Sequence, residues 1–166
     1  MKTFLLVPIL IIAACSAALA QTSGVDTKPK ASPLAGTWKA NLAKSQRDPN
    51  HQFQSLTLRF EISDDSVSLT YTGVNMGGEE ESGSRQMHAD GKEYPVAEAP
   101  GVVVITRWVE PHILETLAKK DGTLVGQSSY EVSSDGKTLI ARIKGIDGSG
   151  GSFEQLVVLE RQELLH

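Results

Sequence analysis

The chain has 166 residues and a formal net charge of −4, a length that supports one domain and leaves no material for a second hydrophobic core. Sixteen of the first twenty residues are hydrophobic, so the remainder is left with a thin apolar core. That remainder carries 15 basic against 20 acidic residues, a mildly acidic balance that excludes a nucleic-acid surface and a polybasic membrane patch.

Lys2, the apolar run Phe4 to Ala14 broken only by Pro8, and Ala18-Leu19-Ala20 ahead of Gln21 form a secretory signal over residues 1–20. The run is about half the ~20 residues a spanning helix needs, and no later apolar run exceeds about five residues, so no transmembrane helix is expected. Ile12-Ala13-Ala14-Cys15 resembles the lipobox of bacterial lipoproteins. Soluble export to the periplasm or beyond therefore competes with a lipid anchor in the cell envelope through Cys15. Cys15 is the sole cysteine, so the folded body has no internal disulfide and depends on packing.

Residues 21–33 are polar, with Lys28, Pro29, Lys30 and Pro33, and read as a flexible tether; a single domain is expected over 34–166. Turn signals then recur every ~9 to 15 residues, at Ser63-Asp64-Asp65, Asn75 to Gly78, Asp90-Gly91, Glu110-Pro111, Asp121-Gly122, Asp135-Gly136 and Asp147-Gly148. This is the rhythm of antiparallel hairpins. Leu56, Leu58, Phe60 and Ile62 alternate with polar residues, as do Val67, Leu69 and Tyr71, while Leu139, Ala141 and Ile143 occupy every second place in their segment. Val102 to Val109 and Leu156 to Leu159 are nearly continuous apolar runs, consistent with burial on both faces or a closing edge. Weaker strands are expected at 36–41, 85–89, 113–119 and 124–133. The total is about nine strands in an all-β fold. Closure into an antiparallel up-and-down barrel removes their edges, and a two-sheet β-sandwich is the alternative.

Ala35-Gly36-Thr37-Trp38-Lys39 resembles the Gly-x-Trp start of the lipocalin first strand and the Gly-Thr-Trp-Lys opening of fatty-acid-binding proteins. Leu156-Val157-Val158-Leu159-Glu160-Arg161 is similar to their closing strand. The resemblance implies a lipocalin-like barrel whose closure involves Gly36, Trp38 and Arg161, with the guanidinium across the indole. Two departures stand out. The helical pair that follows the first strand in fatty-acid-binding proteins has no counterpart in the polar, Pro49-interrupted segment Leu42 to Gln54. The arginine and tyrosine that grip a carboxylate on the last strand are replaced by Val157 and Leu159. Neutral ligands are therefore expected to bind about as well as carboxylates.

No catalytic motif appears. His51, His88, His112 and His166 do not pair at metal-site spacing, so no metal or other cofactor is expected. Glu79-Glu80-Glu81 is an acidic loop between glycines, and a carboxylate in solvent lacks the raised pKa that acid catalysis requires. The candidate ligand-lining residues are Phe60, Tyr71, Arg107, Tyr130 and Ala141, in a barrel with few large side chains. Arg107 faces inward if Val103, Ile105 and Val109 do. The opposite phase puts Val104 and Trp108 inside and Arg107 in water, where a charge needs no buried partner. The expected role is non-catalytic binding of a small apolar or amphipathic molecule, and the alternative is a filled barrel acting as a structural or protein-interaction module of the cell envelope.

Overall fold

Ten strands follow one another along the chain: β1 (Gly36–Ala40), β2 (Phe53–Ser63), β3 (Ser66–Asn75), β4 (Glu80–His88), β5 (Asp90–Pro95), β6 (Val102–Glu110), β7 (Ile113–Lys120), β8 (Thr123–Val132), β9 (Thr138–Ile146) and β10 (Ser152–Gln162). The computed structural model describes residues 32–163, so the signal segment, Cys15 and most of the 21–33 tether lie outside the described residues. Among the described residues, no helix is long and apolar enough to cross a membrane.

The strands form one antiparallel sheet in the order β4-β3-β2-β1-β10-β9-β8-β7-β6-β5. Every neighbour except the β1–β10 pair is joined by a sequential connection, the up-and-down arrangement. The sheet rolls into a nearly closed barrel, in which β4 and β5 are the two unpaired edges. Closure at that seam is by side chains: the Thr116 hydroxyl on β7 reaches the Met87 sulfur on β4 at 3.8 Å. A single rolled sheet replaces the sandwich alternative.

The tenth strand, β5, corrects the count of about nine. Asp90-Gly91 reads as a turn, and Gly91 does adopt a positive φ of 76°. The chain nevertheless continues as a strand after a register shift between Asp90 and Glu93. All six β5 residues are exposed, so no alternation of apolar side chains marks the strand in the sequence.

Alternation places the core where period two predicts. Phe60 of β2 lies opposite Leu69 of β3 and Leu58 opposite Tyr71. Leu69 in turn faces Arg85 of β4, and Tyr71 faces Gly83. On the other side of the barrel, Tyr130 of β8 pairs with Ala141 of β9, and Val132 with Leu139. Trp38, Phe53, Phe60, Leu114, Leu139 and Leu159 are among the large side chains removed from solvent. After β1 the chain makes only a short 3₁₀ turn, Leu42–Lys44, capped by the Asn41 side chain. It then runs beside β10, with the Asn41 amide donating to the Val158 carbonyl and a bridge between Gln46 and Leu156. β10 is thus a closing strand bonded on both sides, with Phe153, Gln155, Val157 and Leu159 buried and Leu156 and Val158 only partly covered.

Candidate ligand-binding site

The closing seam of β1 and β10 is built around one indole. Trp38 lies opposite Leu58 on β2 and Arg161 on β10. Its Nε1 donates to the Leu34 carbonyl at 2.9 Å, and the Arg161 guanidinium sits 4.1 Å above the ring centroid. Arg161 also donates to the carbonyls of Gly136, Ala35 and Pro33. The chain ahead of β1 is thereby tied to the β8–β9 turn. Gly36 is required here: its φ is 125°, and a Cβ would come within 2.8 Å of Arg161 Nη1. The three residues assigned to closure from the sequence are brought together.

Inside the barrel, hydroxyls and apolar groups are layered by register. Thr106, Thr116, Ser128, Ile143 and Gln155 are successive cross-strand partners on β6 to β10. This row crosses half the barrel with Ile143 as its one apolar member. Its polar members are all buried. Thr106 and Thr116 bond each other at 3.0 Å, so the row is internally paired where β6 meets β7.

The row ends in a cavity of about 30 Å³ whose lining includes Leu58, Tyr71, Arg85, Tyr130, Ala141 and Gln155. Tyr71 covers one wall by lying across Gly83, where a Cβ would fall 2.5 Å from the phenol oxygen. Burial pushes the Tyr130 phenol pKa up, countered in part by the Arg85 charge. Arg85 is half-buried. Gln155 is 4% exposed, and its Oε1 has no hydrogen-bond partner among the described residues.

Three of the lining residues named from the sequence, Tyr71, Tyr130 and Ala141, border this cavity. Phe60 does not. It packs in the core with its ring edge-to-face on Tyr130, centroids 5.2 Å apart. Arg107 is a correction, since it lies on the outer face and is bonded to Glu115 at 2.6 Å. The phase of β6 is set by Thr106, which faces inward against Thr116, and a polar inward residue hides that phase from an apolar count. Arg85 and Gln155 were not named from the sequence. Gln155 stands in step with Phe153, Val157 and Leu159, and Arg85 with Met87, so the same period-two rule locates both once polar residues are allowed inside.

No protein-family model and no curated protein sequence matches this chain. Solved structures do. The fluorescent protein UnaG is 16% identical, with a TM-score of 0.51 over 77% of this chain and 96% of that one. The extracellular fatty acid binding protein As-p18 is 10% identical, with a TM-score of 0.47 over 78% and 96%. Zebrafish ileal bile acid-binding protein complexed with cholic acid is 12% identical, with a TM-score of 0.46 over 80% and 100%. At these identities the likeness is one of fold. The chain folds as an antiparallel up-and-down barrel, a fold it shares with UnaG.

Proposed function

We propose that this protein is an exported, non-catalytic binding barrel that takes a small apolar or amphipathic molecule into its interior. The observation that carries the reading is the unpartnered Gln155 Oε1, buried in a largely apolar cavity beside Arg85. A buried polar atom without a partner costs about 1–3 kcal/mol, which a barrel filled only for structure gains nothing by retaining. Fold analogy with solved barrels that bind small molecules adds to this reading as analogy only.

The cavity is far below the ~300 Å³ of typical ligand pockets. Binding therefore requires side chains to move, and Tyr71 and Arg85 are the long, half-buried candidates. The same small volume favours the second reading, a filled barrel serving as an interaction module. Titration of an environment-sensitive fluorescent fatty acid separates the two. Saturable binding is expected, with Ala141→Trp weakening it at least ~10-fold by occupying the cavity. No saturable binding, or an affinity that Ala141→Trp leaves unchanged, supports the filled barrel.

Export rests on residues 1–20. The expected mature N-terminus is Gln21, and N-terminal sequencing of protein recovered from outside the cytoplasm checks it. An acylated Cys15 found there assigns the lipid-anchored alternative.

A further inference from the structure

Arg85 stands apart from the other arginines among the described residues. Arg59, Arg107 and Arg142 bond carboxylates, while Arg47 and Arg161 bond main-chain carbonyls. Arg85 bonds neither kind of group among the described residues, yet it is half-buried and borders the interior cavity. It reaches that position because it shares the inward face of β4 with Met87 and lies opposite Leu69 of β3. A positive charge thus enters the barrel from an edge strand.

The rest of the cavity wall leaves that charge uncompensated. Its described residues include no carboxylate, and the other polar side chains are Tyr71, Tyr130 and Gln155, set among apolar ones. Each of the three has an O–H or N–H to donate. No bond among the described residues fixes which end of the Gln155 carboxamide faces the cavity, so the group turns its N–H side toward a negative charge placed there. An arginine fork presents parallel N–H groups that match two oxygens of one planar anion. Size then limits the occupant. One ordered water needs about 10–15 Å³, so a cavity of about 30 Å³ admits a group of a few atoms and takes an alkyl chain only if side chains move.

We propose that this cavity is a site for a small planar oxyanion, of the size of formate or nitrate, held by the Arg85 guanidinium and completed by neutral donors on the same wall. Occupancy requires neither an apolar tail nor movement of the wall, so the site is independent of whether a longer molecule enters. It also departs from the equal binding of neutral and charged ligands expected from Val157 and Leu159, because its charge comes from β4.

The test titrates the full mature chain with sodium formate exchanged for sodium chloride at constant ionic strength, and separately with formamide, a neutral molecule of the same size and shape. Nuclear magnetic resonance follows the Arg85 Nε–H and the Gln155 side-chain amide, and melting temperature is read in parallel. Formate is expected to shift both signals saturably, with half-saturation roughly tenfold or more below that of formamide, and to raise the melting temperature. Arg85→Gln is expected to abolish the formate shift at Gln155. A formamide response equal to that of formate overturns the proposal, because charge then plays no part. A formate shift at Gln155 that survives in Arg85→Gln also overturns it, as does the lack of any saturable response to formate. Saturable binding of octanoate without a response to formate overturns it too, since the site then takes the polar end of a longer molecule. The wild-type comparison of formate with formamide decides the matter by itself if Arg85→Gln does not fold. The fluorescent fatty-acid titration measures amphiphile binding separately, so the two readings fail independently.

Discussion

Trp38 shows how one side chain can hold two ends of a chain together. Its ring is sealed from solvent, its N–H is satisfied by Leu34, and Arg161 covers its face while bonding three carbonyls. Removing the ring leaves a cavity and deprives the guanidinium of the surface it lies on. Trp38→Ala is expected to cost ~3 to 5 kcal/mol, a large share of the ~5 to 15 kcal/mol that holds such a domain folded. Denaturant unfolding of Trp38→Ala, Arg161→Ala and the double variant checks the pairing. A coupling above ~0.5 kcal/mol is expected, and additive effects would show that the contact contributes no energy of its own.

At the level of elements, the hairpins are closed by aspartates that bind their own turns. Asp147 accepts from the amides of Ser149 and Gly151 and from the Ser149 hydroxyl. Asp135 accepts from the Ser133 hydroxyl and the Lys137 amide. These bonds favour the charged carboxylate and hold both below the ordinary aspartate value of 3.8. Asp48 is held down by His51 and the Asn50 amide, and Asp90 by the Lys92 amide and the Tyr94 hydroxyl. The sign follows from linkage: a carboxylate with a depressed folded-state pKa stabilises the fold above its unfolded value, and that stability is lost as pH falls through the folded one. Melting temperature is therefore expected to be level near neutrality and to fall below about pH 4. Asp147→Asn is expected to lower it at pH 7 and flatten the acid slope, whereas an unchanged slope would remove the turn from the account.

The whole molecule is stabilised unevenly around its circumference. β1, β2 and β10 are bonded on both sides and enclose Trp38, while β4 pairs only with β3 and β5 only with β6. The β5 strand contributes no buried side chain. Amide exchange is expected to be fastest in β5 and along the free edge of β4, and slowest in β2 and β10. Exchange followed by mass spectrometry checks this, and β5 amides as protected as those of β10 would mean that the seam is sealed by contacts beyond those described.

Strand positions were legible in the sequence because pleating imposes a period of two wherever one face is apolar, as from Leu56 to Ile62 and from Val67 to Tyr71. The closure of Gly36, Trp38 and Arg161 was legible only through the resemblance of Gly36-Thr37-Trp38-Lys39 and of the last strand to the two ends of lipocalin and fatty-acid-binding-protein barrels. Residues whose inward orientation opposes their polarity were not legible. Thr106, Arg85 and Gln155 point inside, against the rule that reads polar as exposed, and the period-two pattern places Arg85 and Gln155 there only once that rule is dropped. β5 carries no apolar alternation and is a strand because β6 offers it a hydrogen-bonding edge. The polar end of the cavity is likewise a product of register: Arg85 and Gln155 are 70 positions apart in the chain. They border one cavity because the sheet curls until β4 and β10 face each other across the barrel, a proximity that no local pattern encodes.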